Sequence, residues 1–140
     1  MEDNNKINLL KKTLLNKNNE IDEEILLNLI PEIECMKGFE HRHPHHHLDV
    51  WEHTFLAIKS SMHDFDVRLA LLFHDIGKPH CFIEGEDNVR HFYGHAEKSA
   101  EIAKKALLNL GFNQNYVDYI YLLVLRHDTA ISEDDYQGDK

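Results

Sequence analysis

The sequence contains little cysteine and no long hydrophobic run. Cys35 and Cys81 are its two cysteines, too few for a disulfide framework and not in the CxxC spacing of a metal or redox motif. No segment approaches the roughly 20 consecutive apolar residues of a membrane span, and residues 1–20 carry no apolar core of a secretory signal. We therefore expect a reduced, cytoplasmic protein without a membrane partner.

Positive charge is also scarce. The 140 residues include 15 Lys and Arg against 25 Asp and Glu, which gives a net charge of −10 with histidine neutral. This balance disfavours a nucleic-acid polymer as a partner, because such binding depends on neutralising phosphates. A small phosphorylated ligand is compatible with it, since a bound metal ion reverses the local charge of a pocket. The length predicts a single domain over residues 1–140, and a homodimer is compatible with it.

Hydrophobic periodicity predicts an all-α protein. The predicted helical segments lie at about residues 5–16, 22–30, 31–37, 48–61, 66–75, 95–110 and 113–126. Residues 81–84 and 89–93 flank a polar tip, so one short β-hairpin is expected near residues 81–93. Residues 1–20 carry the first helix with a mobile start, and residues 129–140 form an acidic, mobile tail.

Histidine is abundant, with 12 in the chain. Five of them lie in residues 41–47, a cluster that we interpret as a solvated loop or an adventitious metal binder. More informative is the pair His74-Asp75, which follows the apolar run of residues 70–73 and precedes Gly77. His63, His80 and His91 are interpreted as non-ligands.

The pair His74-Asp75 predicts a metal site. The preceding helix is apolar all round, so both side chains enter a low-dielectric place where a charge must be paired or metal-bound. Histidine and carboxylate ligands together suit one or two divalent transition-metal ions: Zn, Fe, Mn, Co or Ni. The further candidate ligands are His53, His95, His127 and Asp128. Asp128 either binds the metal itself or accepts a hydrogen bond that orients a metal-binding imidazole.

Three segments resemble the HD superfamily of metal-dependent phosphohydrolases. They are DVWEHT at residues 49–54, LFHDIGKP at residues 72–79 and FYGHAEKSA at residues 92–100. The resemblance covers roughly residues 30–130. It is strongest to the HD region of bacterial CCA-adding tRNA nucleotidyltransferases, without their catalytic head. It implies a stand-alone HD domain, a bundle of six to seven helices with the metal site in its middle.

The resemblance also implies how the ligands are divided. It assigns the first ligands to His53, His74 and Asp75. In two-metal members of the superfamily, residues like His95 and His127 hold a second ion, and the aspartate bridges the two. The family's closing aspartate lies on a later helix than this chain contains. Asp128 therefore takes its place, or the chain is a truncated or minimal form.

The predicted activity is hydrolysis of a small phosphate ester, such as a nucleotide or a cyclic phosphate. A metal held by Asp75 and its neighbours would lower the pKa of a bound water toward ~7. Lys78 either contacts the phosphate or is a solvated lysine after a helix end. His95, if it is not a ligand, contacts the phosphate or protonates the leaving oxygen.

Three other functions stay open. One is a nucleotide-sensing module that keeps the metal but has little turnover. Another is a mixed-valent di-iron oxygenase, which needs two irons and a full set of six ligands. The last is a zinc-stabilised structural domain without a substrate, which would unfold on metal removal.

Overall fold

A computed structural model describes residues 3–40, 48–84 and 90–126 of the chain. Within these residues the protein is a helical bundle with one short pair of strands. The helices are α1 (Asp3–Leu14), α2 (Glu23–Leu29), α3 (Val50–Ser60), α4 (Phe65–Phe73), α5 (Lys78–Cys81), α6 (His95–Leu110) and α7 (Gln114–Leu125). A 3₁₀ segment, Pro31–Met36, follows α2, and strands β1 (Ile83–Glu84) and β2 (Arg90–His91) pair antiparallel. The predicted all-α class with a single hairpin is confirmed.

Side-chain caps start four of the helices. Asp49 and Glu52 form a capping box at α3: the Asp49 carboxylate accepts from the Glu52 N–H at 2.6 Å, and the Glu52 carboxylate accepts from the Asp49 N–H at 3.1 Å. Asp22, Asp64 and Asn113 cap α2, α4 and α7 in the same way. These side chains satisfy N–H groups that have no partner inside the helix, which explains why the helix starts were readable from the sequence.

Helix α4 occupies the centre of the bundle. Its residues from Arg68 to Phe73 are all buried, and it packs against α1, α3, α6 and α7. The buried guanidinium of Arg68 donates to the carbonyl oxygens of Leu14 and Ser61 at 2.9 and 3.2 Å and to the side-chain oxygen of Asn19 at 2.9 Å. A buried cation with its donors used in this way is tolerated. It fixes the first half of α4 against the end of α1.

One local prediction is wrong. The first hairpin strand was expected to include Cys81, but Cys81 ends the four-residue helix α5 and β1 begins at Ile83. Pro79 lies in the first turn of α5, where its fixed φ favours a helix and its missing N–H costs no hydrogen bond.

Some predictions fall on parts of the chain that the structure does not describe. These are the histidine cluster at residues 41–47, the hairpin tip at residues 85–89, and the segment 127–140. Among the described residues, no helix has the length and apolar character needed to cross a membrane. The cytoplasmic location and the single domain over residues 1–140 stay predictions.

Candidate metal centre

The centre of the candidate site is Asp75, in the turn between α4 and α5. Its side chain is fully buried. The turn is tight, since the Ile76 N–H donates to the carbonyl oxygen of Phe73 and the Lys78 N–H to that of Asp75, both at 3.1 Å. These hydrogen bonds hold the turn in place, so the Asp75 carboxylate lies in the interior at the end of the central helix.

Gly77 allows this turn to lie directly on the start of α6. A Cβ at position 77 would lie 2.6 Å from the carbonyl oxygen of His95 and 2.8 Å from the amide nitrogen of Ser99, both backbone atoms. The Gly77 N–H donates to the Ser99 hydroxyl at 2.8 Å. This close approach brings His95 to the carboxylate of Asp75. Ser99 was not predicted, because a serine on a helix carries no signal of such a role.

Three imidazoles converge on the Asp75 carboxylate. The Nε2 atoms of His74 and His53 lie 3.1 and 3.7 Å from its Oδ2. One ligand atom each from His53, His74 and Asp75 lies within 4.8 Å of the other two. The Nε2 atom of His95 lies 3.5 Å from the other carboxylate oxygen, Oδ1. The structure thus brings together four of the six candidate ligands, from α3, the turn after α4 and the start of α6.

Backbone carbonyls orient two of the imidazoles. The Nδ1 atom of His74 lies 2.6 Å from the carbonyl oxygen of Leu71, and that of His95 lies 3.1 Å from the carbonyl oxygen of Phe92. A carbonyl can only accept, so we assign the proton to Nδ1 in both rings. In the neutral ring, Nε2 then carries a lone pair that is available to a cation beside Asp75. This arrangement, with the second ring nitrogen donating to the protein, is the one that metal-binding histidines use.

The donor set fits a divalent ion. Both oxygens of Asp75 are buried, and neither accepts a hydrogen bond of good geometry from a described residue. Imidazole lone pairs and an anionic carboxylate facing one another would repel, whereas a cation between them is stabilised by all of them. Two imidazoles and a carboxylate suit first-row divalent metals. His53, His74 and Asp75 could therefore hold such an ion.

Lys78 is a buried partner of Asp75. Its ammonium lies 3.4 Å from Oδ2 of Asp75 and 5.2 Å from the ring centre of Phe92. Burial raises the pKa of the Asp75 carboxyl, but the positive charges of a protonated His74 and of Lys78 outweigh burial and hold that pKa well below its usual range. The alternative of a solvated lysine does not fit a side chain that is 9% exposed.

The other described histidines make different contacts. His63 Nε2 contacts the carbonyl oxygen of Leu15 at 2.8 Å, His80 is exposed, and His91 stacks on Tyr93. His127 and Asp128 belong to the part of the chain that the structure does not describe. Their place in the site stays a prediction.

Comparison with known proteins relates the whole region to one family. The profile of the HD domain family matches residues 45–136. A CC-adding tRNA nucleotidyltransferase of Thermus thermophilus is 37% identical over 111 residues, covering 75% of this chain and 25% of that protein. An A-adding tRNA nucleotidyltransferase of Deinococcus radiodurans is 35% identical over 99 residues, covering 66% of this chain and 23% of that protein.

A third relative is the multifunctional CCA protein of an Azoarcus species. It is 32% identical over 87 residues, covering 57% of this chain and 20% of that protein. The chain therefore spans a quarter or less of the length of these curated relatives. No solved structure gives a significant match. The similarity concerns one part of each of these nucleotidyltransferases.

Proposed function

The chain belongs to the HD domain family, and on this basis we propose that it is a metal-dependent phosphohydrolase of a small phosphate ester. A nucleotide or a cyclic phosphate is the proposed substrate class. The observation that carries the proposal is the buried Asp75 carboxylate with the Nε2 atoms of His53, His74 and His95 at 3.1–3.7 Å. A merely structural carboxylate at this depth would be expected to accept hydrogen bonds of good geometry.

In this proposal His53, His74 and Asp75 hold the first ion. When bound there, a divalent ion would act as a Lewis acid toward a phosphoryl oxygen and lower the pKa of a water. The hydrogen bond from His74 Nδ1 to the carbonyl oxygen of Leu71 keeps the ring in the required tautomer and orientation. Burial excludes competing solvent from the carboxylate, which strengthens its electrostatic interactions.

His95 has two proposed roles. Its Nε2 atom lies near Oδ1 of Asp75, while those of His53 and His74 lie near Oδ2. In the first role, His95 would hold a second ion together with His127. Alternatively, His95 protonates the leaving oxygen. Its Nδ1 proton is committed to the carbonyl oxygen of Phe92, so only the imidazolium form could donate from Nε2.

Lys78 acts on Asp75 in this proposal. Its ammonium, 3.4 Å from Oδ2, favours the ionised carboxylate that a metal requires. A direct contact between Lys78 and a substrate phosphate stays a prediction. The role of Asp128, as a further ligand or as a residue that orients an imidazole, also stays a prediction.

The first experiment measures metal per chain in untagged protein purified without added metal. We expect near-stoichiometric transition metal, lost in Asp75→Ala and kept in Glu101→Ala, which removes an exposed carboxylate on α6. The metal-loaded protein is then assayed for phosphate release from adenosine 5′-monophosphate and ribose 5-phosphate, and for cleavage of bis-p-nitrophenyl phosphate and 2′,3′-cyclic AMP.

The outcomes separate the alternatives. Turnover that is lost in Asp75→Ala and kept in Glu101→Ala supports the phosphohydrolase. Bound metal without turnover of any ester contradicts it and favours the nucleotide-sensing module. Two irons per chain with oxygen uptake favour the di-iron oxygenase. Equal metal content in wild type and Asp75→Ala would show that the metal lies elsewhere.

A further inference from the structure

Two exposed rings stand beside the candidate metal centre. Tyr93 is 71% exposed. Its ring lies nearly parallel to that of His91, with ring centres 5.9 Å apart and an angle of 10° between the planes. His91 is exposed as well, so neither ring adds to the hydrophobic core.

The chain around Tyr93 connects this pair directly to the site. Tyr93 lies two residues before His95, and two residues of chain span at most about 7 Å. Phe92 is turned toward the site, because its carbonyl oxygen accepts from His95 Nδ1 and its ring lies over the Lys78 ammonium. Tyr93, the next residue, is turned toward solvent. Its backbone therefore lies next to the metal centre, while its ring is exposed.

The position of the pair is held by the backbone. His91 pairs with Ile83 in the β1–β2 ladder, which holds the backbone that carries the His91 ring. On the other side Gly94 has a φ of +77°, a conformation that favours glycine, and it leads into α6. The two rings are thus carried between a strand pair and a helix start.

We propose that Tyr93, backed by His91, is a stacking platform for the base of a nucleotide whose phosphate lies at the metal centre. The inference rests on the proposed function and names a residue that selects its substrate. A planar ring exposed on one face suits a nucleobase, because every base has a π-face that stacks on an aromatic side chain. Stacking needs no hydrogen bonds to base edges, so the platform accepts purines and pyrimidines alike.

The test compares two phosphate esters that differ in the base alone: adenosine 5′-monophosphate and ribose 5-phosphate. With manganese-loaded protein, we expect Tyr93→Ala to raise the KM for the nucleotide roughly tenfold. The kcat and the KM for ribose 5-phosphate stay unchanged. Tyr93→Phe keeps the ring and should retain the wild-type KM, and uridine 5′-monophosphate should respond as the adenosine ester does. Tyr119→Ala, which removes another exposed tyrosine on α7, is the matched control.

A binding measurement keeps this test independent of turnover. If neither ester is hydrolysed, calorimetric Kd values for the same two ligands replace the KM values. Base-dependent loss of binding in Tyr93→Ala without any hydrolysis would leave the platform standing and overturn the phosphohydrolase. Equal effects on both ligands, an unchanged KM and Kd, or no binding of the nucleotide would overturn the platform.

Discussion

At the scale of single residues, the charge of Asp75 decides the character of the site. Removing a carboxylate from water is costly unless cations or hydrogen bonds compensate it. Here the compensation comes from the ammonium of Lys78 at 3.4 Å and, where their rings are protonated, from the surrounding imidazoles. The carboxylate is thus kept ionised in the interior, where it is available to a metal ion.

Replacing Lys78 should expose this dependence. Lys78→Met keeps much of the side-chain volume but removes the cation, so without metal we expect a loss of about 3 kcal/mol in the free energy of unfolding. Added divalent metal should recover much of that loss, since it supplies positive charge at the same carboxylate. Urea unfolding with and without metal measures both effects.

The control for this variant is Lys105→Met, on the exposed side of α6, with an expected change below about 0.5 kcal/mol. If Lys78→Met were as harmless as the control, the buried ammonium would not be the partner that holds Asp75 ionised.

Tyr116, which contacts Asp66 at the start of α4, should make the stability of the fold depend on pH. Burial, followed by the hydrogen bond that its hydroxyl donates to Asp66 at 2.5 Å, raises the pKa of Tyr116 above its usual value. The folded protein therefore keeps the proton above pH ~10, where the unfolded chain releases it. Stability should be complete below that pH and fall as the pH rises through it.

Tyr116→Phe removes the titrating group. We expect its unfolding free energy to fall less steeply between about pH 10 and 11.5 than that of the wild type, measured by urea denaturation. Tyr119→Phe, at an exposed tyrosine of the same helix, should keep the wild-type slope. Identical slopes in all three proteins would contradict the assigned cause.

The sequence predicted the burial of some site residues but not of others. His74 and Asp75 were readable because they end a helix that is apolar all round, and both are buried. The burial of Lys78 could not be predicted, because the sequence does not show whether a lysine after a helix end points inward or into solvent. Its burial depends on α6 and Phe92 packing over it, which is a tertiary effect.

At the scale of elements, the site depends on how closely the turn after α4 approaches α6. Gly77 has a φ of −81°, which any residue tolerates, so glycine is needed there for space alone. Helices with caps, such as α3 with Asp49 and Glu52, were predicted to within about two residues at either end. Helix α5 was missed, since four residues are too few to show a hydrophobic period.

Gly77→Ala should therefore separate the turn from α6. The new Cβ meets backbone atoms of His95 and Ser99, which cannot rotate away, so we expect a loss of about 1–3 kcal/mol in unfolding free energy. Metal affinity should fall as well, because His95 and Asp75 move apart. Urea unfolding and a metal titration measure the two effects.

Gly38→Ala is the informative control for this variant. A Cβ at Gly38 meets nothing within 4 Å, but its φ is +73°. It should cost about 1–2 kcal/mol through backbone strain and leave metal affinity unchanged. If both variants bound metal like the wild type, the contact between the turn and α6 would not position the ligands.

At the scale of the whole molecule, the site joins parts of the chain that are distant in sequence. His53 comes from α3, Asp75 from the turn after α4 and His95 from the start of α6. The resemblance to a known family placed these three positions in one site, whereas periodicity alone could not, because it does not say which helices are neighbours. An ion held between them would link three elements of the bundle.

Metal removal should therefore lower the stability of the whole fold. Binding to the folded state alone stabilises it by about 2.7 kcal/mol when free metal is 100 times Kd. For a chain of this size that corresponds to a rise of about 5–10 °C in Tm, measured by calorimetry on chelated protein before and after metal addition. Asp75→Asn should abolish the rise, and magnesium at equal concentration should give little of it, since the imidazoles favour transition metals. Chelated protein that is already unfolded would instead favour the zinc-stabilised structural domain. A rise that persists in Asp75→Asn would mean that the stabilising ion binds outside this site.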